Sequence, residues 1–212
     1  MQTPPILDVL HEAIRTKQTV VTPDISHLNL QMVDLSSLDA DRLRAYGAQL
    51  TNVLFTHARL IDADFTEAIL NGAHLDYANI GMATFDNTSM EQASLIRVLF
   101  TIGSCRNANL TAADLSGAEL SNTTFRGSRL DRAILDQAMA QEISFYQASL
   151  VGASLRSGQW EQANFRQADL TNADLSGSNF RQADFREAKL SGVSWEGAIL
   201  DGALFDPQTI TA

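Results

Sequence analysis

The feature that most constrains this chain is a frame of five residues that never slips. From Leu50 to Phe205, the 32 positions numbered in multiples of five hold sixteen Leu, ten Phe, two Trp, Ile80, Met90, Cys105 and Ala140. Every Phe and both Trp of the chain fall in this set. Two places earlier, from Ala48 to Ala203, 22 of 32 residues are Ala, and the rest are Val, Thr, Ser, Gly and one Ile. An α-helix repeats every 3.6 residues and a strand every 2, so neither keeps a period of five on one face.

Such a period stays inside only a coil that turns a corner every fifth residue. The large residue fills the axis, and the small one points into the little room beside it. The other three face outward and are polar, as in DLSG, NFRQ and DFRE. Nine of the twelve glycines fall two places after the large residue, which suits a corner needing positive φ. A second period gives the number of sides. Every twentieth residue reads Phe65, Phe85, Cys105, Phe125, Phe145, Phe165, Phe185, Phe205. A Phe column at period 20 means four sides of five residues, with rings stacked along one inner edge. At a coil spacing of about 4.8 Å, eight coils over residues 46–205 make a rod roughly 38 Å long.

The pattern Ala-Asp/Asn-Leu/Phe-x-x, as in ANLTAADLSGAEL (108–120) and ADLTNADLSGSNFRQADFREAKL (168–190), resembles the pentapeptide-repeat proteins. The resemblance covers about three quarters of the chain. It implies an all-β solenoid, a right-handed four-sided parallel β-helix, with no catalytic activity. In the best understood subgroup it implies a DNA mimic that protects bacterial DNA gyrase from quinolones or albicidin and dimerises through its C-terminal region. Other members are associated with cyanobacterial differentiation or act as secreted bacterial effectors.

Three segments are expected. Residues 1–24 form an N-terminal cap with a helix over about 4–17, started by Pro4 and Pro5 and striped by Ile6, Leu7, Leu10, Ala13 and Ile14. The same helix also suits a docking or export segment. Residues 25–205 carry the β-helix, regular over 46–205 and irregular over a first coil at 26–45. There Leu28, Val33, Leu38 and Leu43 stand where a small residue belongs, and Ala40 and Ala45 where a large one does. A distorted coil or an interrupting short helix accounts for that exchange. Residues 206–212 form a tail too short for a cap helix. The last coil then presents Leu190, Trp195, Leu200 and Phe205 beside open edges, which predicts a homodimer joined end to end. The rival arrangement folds the tail back over Trp195 and Phe205.

Little in the sequence points to chemistry. His57 and His74 lie on one side of adjacent coils without a third ligand, which argues against a metal site. Cys105 replaces Phe in the inner column and reads as a buried, inert thiol. A rod offers no cleft for paired carboxylates, and no phosphate-binding glycine loop appears, so no enzyme and no cofactor is expected. The net charge is −10 with only two lysines, Lys17 and Lys189, which disfavours direct binding to nucleic acid. No run of 18 apolar residues occurs and the N-terminus lacks a basic leader, so a cytoplasmic protein away from membranes is expected.

The outward columns carry the remaining signal. The sides are lettered A to D by their large residues, Leu50 on A, Phe55 on B, Leu60 on C and Phe65 on D. Over 46–205, sides B and C each carry net −3, side D carries −1 and side A is neutral. Side D stacks Arg106, Arg126, Tyr146, Arg166 and Arg186 one above another. That column reads either as a solvated ladder paired with Glu67, Asp184 and Glu187 or as a strip for an acidic partner. In SLIRVLFTIGSC (94–105), Ile96, Leu99 and Ile102 take outward positions usually held by polar residues. Met82 lies one coil below Ile102, and Met139 two coils above Leu99. Exposed apolar clusters of this kind mark contacts unless neighbouring chain covers them.

These faces predict a non-catalytic module that binds a protein partner. The gyrase-protecting DNA mimic is the alternative, and an effector or structural scaffold the second. Duplex DNA carries one charge per ~1.7 Å, or about 22 over this rod. The repeat region carries net −7, its inner small residues are Ala where many gyrase-protecting members use Cys, and it lacks their loop insertions and C-terminal helix.

Overall fold

The computed structural model describes residues 5–207. Its backbone pairs with itself at a constant offset of twenty residues. Single parallel bridges run from Asp24↔Arg44 in steps of five to Asp184↔Leu204, which makes nine coils over residues 24–203. The residue two places after each large one, from Thr22 to Gly202, has positive φ, whether or not it is glycine. Four such corners per twenty residues give the coil four sides.

One repeat shows how the sequence closes a side. Val53 N–H donates to the Leu50 carbonyl at 3.0 Å across a turn whose third residue, Asn52, sits at φ 55°. Positive φ at the third position alone is the type II arrangement. Beyond the turn, Val53 and Phe55 point inward and Leu54 points out, the ordinary alternation of a strand. Leu50 and Asn52 donate upward to the Ile69 and Asn71 carbonyls at 2.7 and 2.9 Å, and Leu54 donates downward to Val33 at 3.0 Å. Only one residue per side forms a bridge, so the sides are one-bridge-wide ladders and not extended strands. The remaining donor, the N–H just after the large residue, explains the Asp/Asn of the motif. Asp64 accepts it from Thr66, Asp114 from Ser116, Asp169 from Thr171 and Asp174 from Ser176, at 2.9 to 3.1 Å.

The large residues form one continuous core. Phe65 stacks on Phe85 at 4.7 Å, Phe125 on Phe145 at 5.4 Å, and Phe165 on Phe185 at 4.9 Å, close to the coil spacing. Cys105 breaks this column, and Phe100 of the adjoining side spans the gap, edge-on to Phe85 at 5.5 Å and to Phe125 at 6.3 Å. Room for the largest side chains comes from glycine at the neighbouring small position. A Cβ at Gly103 would lie 2.0 Å from the Phe100 ring, and one at Gly158 would lie 2.4 Å from the Trp160 ring nitrogen. Phe205, expected to be buried with the other rings, is only partly covered, because no further coil lies above it among the described residues.

Three inward hydroxyls, those of Ser128, Ser178 and Thr123, sit above corners whose direct turn bond is missing. Ser128 donates to the Cys105 carbonyl and accepts from Ala108 N–H in the coil below. Ser178 does the same for the Leu155 carbonyl and Gly158 N–H, at 2.5 and 2.8 Å. Thr123 donates to the Phe100 carbonyl at 2.6 Å. Each hydroxyl satisfies groups that burial would otherwise leave unpaired.

Helix α1 spans Pro5–Thr16 and buries Leu7, Leu10 and Ala13. Ile6 and Ile14 pack beside them on the core, whose first members from the coil are Ile25, Leu30 and Leu35. The helix therefore covers the apolar end of the first coil. The expectation of an irregular coil at 26–45 is corrected. That stretch keeps the same turns and bridges. Leu38 and Leu43 are fully buried beside Ala40 and Ala45, so exchanging large for small leaves the filled volume about the same.

Candidate interaction surfaces

Side C carries the largest departure from a polar exterior. Met82, Leu99, Ile102 and Met139 are 50%, 48%, 67% and 52% exposed. Leu99, Glu119 and Met139 stand in one ladder, joined by the bridges Leu99↔Glu119 and Glu119↔Met139. Met82 and Ile102 occupy one corner in successive coils, where Met82 N–H bonds Thr101 at 2.9 Å and Ile102 N–H bonds Ser121 at 3.1 Å. The Met82 and Ile102 column continues upward to Glu142, and Glu161 stands in the adjoining column, where Glu142 N–H bonds the Glu161 carbonyl at 3.0 Å. Among the described residues, Glu119, Glu142 and Glu161 enter no ion pair.

Ile96 does not join this patch. It lies around the corner on side B, partly buried, and lines a shallow depression with Tyr77, Arg97, Gly117 and Asp136. The sequence places Ile96, Leu99 and Ile102 within seven residues, but a coil that turns every five residues sends them to different sides. The Glu residues were visible as side C charges. Their place beside Leu99 and Met139 emerges only when columns are read at period 20.

Side D is largely self-paired. Arg106 meets Asp86 at 3.5 Å, Arg166 meets Glu187 at 2.7 Å and Arg186 meets Asp184 at 2.5 Å. Arg166 and Gln167 hold the Glu187 carboxyl below its ordinary range, and Arg186 does the same for Asp184. Arg126 has no carboxylate partner among the described residues; its guanidinium lies over the Tyr146 ring at 5.0 Å. Among the described residues, the column is an ion-paired ladder in which Arg126 is held by an aromatic ring instead of a carboxylate.

The repeat model for pentapeptide repeats matches residues 48–81, 104–138, 148–186 and 178–206, in eight copies. The chain belongs to the pentapeptide repeat family. Among solved structures, it is similar to HetL, a pentapeptide repeat protein involved in heterocyst differentiation regulation from the cyanobacterium Nostoc sp. strain PCC 7120. That pair is 24% identical over 98% of each chain, with a TM-score of 0.53. It is also similar to a trypsin-treated form of QnrB1, a plasmid-mediated fluoroquinolone resistance protein. There the identity is 14% over 91% of this chain and 93% of that one, with a TM-score of 0.54. At these identities the likeness concerns the fold alone. No curated protein shows a significant match.

The remaining candidates of this pentapeptide repeat protein sit apart from both faces. Leu190, Trp195, Leu200 and Phe205 ring the top of the ninth coil, all partly exposed. The tail 206–212, with the fold-back over Trp195 and Phe205, falls largely outside the described residues. His57 stacks on Tyr77 at 5.0 Å, while His74 lies 3.8 Å from Asp76. Among the described residues, no group of three or more His, Cys, Asp or Glu is arranged to hold a metal. Burial pushes the Cys105 thiol well above its ordinary range, and the Asp86 charge adds to the shift. No helix among the described residues is long and apolar enough to cross a membrane.

Proposed function

We propose that this chain is a non-catalytic, right-handed β-helical rod of the cytoplasm that binds a protein partner through a flat face. The exposed apolar strip on side C, in a chain whose other outward positions are mostly polar, is the observation that carries the reading. Site-specific photo-crosslinking tests it, with the crosslinker placed in turn at Ile102 on side C, Arg97 on side B, Tyr146 on side D and Arg132 on side A. The reading expects one face to capture a discrete protein in the native host. Capture from none of the four overturns it.

A second reading is protection of DNA gyrase from fluoroquinolones by imitation of duplex DNA. Its support is an acidic chain, net −10, with a fold like that of QnrB1. Supercoiling by gyrase with a fluoroquinolone, titrated with this protein, decides it. Neither rescue nor inhibition of supercoiling removes the reading.

We also propose a homodimer joined through the ninth coil, supported by the partly exposed Leu190, Trp195, Leu200 and Phe205. Light scattering is expected to give a dimer mass for the intact chain at micromolar concentration and a monomer mass for Trp195→Glu. A monomer mass for the intact chain defeats the proposal.

A further inference from the structure

The side C strip combines two properties that together specify a partner. Its apolar members stand at fixed heights on a rigid rod. Leu99 and Met139 are two coils apart in one ladder, about 9.6 Å at the coil spacing. Residues i and i+7 of an α-helix are about 10.5 Å apart along its axis. A helix lying along the rod therefore brings successive apolar residues of one stripe over Leu99 and over Met139. Met82 and Ile102 extend the apolar floor along the adjoining corner. Two of the four apolar residues are methionine, whose unbranched, polarisable side chain adapts to different apolar anchors.

Charge completes the specification. Glu119 stands between Leu99 and Met139 in the ladder, and Glu142 and Glu161 continue the neighbouring columns above Ile102. None is neutralised by an Arg or Lys among the described residues, although most of the chain's cations are paired. The Arg of side C lie at other heights, Arg59 on Asp39 and Asp41 below the strip and Arg181 facing Asp201 above it. We propose that side C is the docking face for a cationic amphipathic helix of a protein partner. Its apolar stripe seats on Met82, Leu99, Ile102 and Met139, and its Lys or Arg residues pair with Glu119, Glu142 and Glu161. This rests on the protein-binding reading above and names the face and chemistry of the partner.

A synthetic amphipathic helix of leucine and lysine, followed by fluorescence anisotropy on the full chain, tests it. Wild type is expected to bind this peptide and to leave its leucine–glutamate counterpart unbound. The triple change Glu119→Gln, Glu142→Gln, Glu161→Gln is expected to weaken binding about tenfold and to flatten its salt dependence. Leu99→Ser with Met139→Ser is expected to weaken it by a similar factor, with unchanged thermal unfolding. The control removes as much charge from side B, through Asp114→Asn, Asp174→Asn and Glu196→Gln, and is expected to change binding little. Equal loss from the side B and side C variants means attraction to net charge alone and overturns the proposal. So does unchanged affinity in the serine pair. In the four-face crosslinking experiment, capture only at Arg97, Tyr146 or Arg132 overturns this inference while the protein-binding reading stands; capture at no face ends both.

Discussion

Leu10, in the middle of α1, is as buried as any residue of the core, whereas Trp195 in the ninth coil keeps part of its indole exposed. The inner residues at the two ends are of similar kind. Ile25, Leu30 and Leu35 of the first coil are fully covered, while Leu190 and Leu200 of the last, and Phe205 stacked above its Phe185, are covered on one side only. What differs is the neighbour: a helix lies under the first coil, whereas over the ninth the described residues add only Leu204, Phe205 and the start of the tail, not a further coil. In a solenoid each coil buries the next, so burial depends on stacking and not on the residue's own coil. Three substitutions probe that difference, the largest effect first.

Phe125 stacks on Phe145 and meets Phe100 edge-on, with coils above and below it. Phe125→Ala is expected to cost about 3–5 kcal/mol, whereas Phe205→Ala at the open end is expected to cost about 1–2 kcal/mol. Denaturant unfolding of both variants checks the ratio. Equal costs mean that the ninth coil is covered in solution, as the end-to-end dimer requires, and a concentration series then separates dimer from covered monomer.

At the other end, Leu10→Ala removes the most buried side chain of the cap and is expected to cost about 2–4 kcal/mol. Hydrogen exchange should place the loss locally. Amides of residues 25–40, which bond to the coil above, are expected to exchange faster while those near Phe165 hold. Uniform acceleration along the rod would show instead that the coils unfold as one unit.

Next in size is Ser178→Ala. It removes the hydroxyl that satisfies both the Leu155 carbonyl and Gly158 N–H, and is expected to cost about 1–2 kcal/mol. Ser178→Thr keeps the hydroxyl and is expected to recover most of it. If both variants lose the same amount, volume and not hydrogen bonding governs the site.

How much of this was legible follows from which interactions keep the period. The frame of five, the four sides and the Phe column stand in the sequence because every coil reuses the same inner positions. Even the positive-φ corner was legible, through its glycines. The bridging hydroxyls were not. Ser128 and Ser178 look like ordinary small substitutes for Ala until the coil below is seen to open its turn. The regularity of residues 26–45 was hidden for a related reason, since the backbone tolerates an exchange of large and small that a residue-by-residue pattern reads as a break. The side C surface was half visible: Ile96, Leu99 and Ile102 stood out together as apolar, but their nearness in sequence hid the corner that the frame of five sets between Ile96 and the other two.

The smallest effect concerns ion pairs and compares mid-rod with end. Burial pushes the Asp136 carboxyl upward, but hydrogen bonds from Arg156 and Ser154 outweigh it and hold the group below its ordinary range. Asp184 is also held low, chiefly by Arg186. A carboxyl whose folded pKa is depressed stabilises the fold above its unfolded pKa, and that contribution disappears as pH falls through the folded value. Both pairs therefore support the rod at neutral pH and cease to do so in acid. They differ in reach. Arg156 lies twenty residues from Asp136, so the pair at 2.7 Å ties one coil to the next. Arg186 lies two residues from Asp184, so that pair can persist in the unfolded chain and adds less to folding. Asp136→Asn is expected to lower the thermal midpoint at pH 7 more than Asp184→Asn. Both deficits should shrink as pH falls below the ordinary aspartate range. Midpoints recorded across that range check the ordering, and a larger deficit for Asp184→Asn would show that the end coil depends on its own local pair more than the mid-rod depends on a tie between coils.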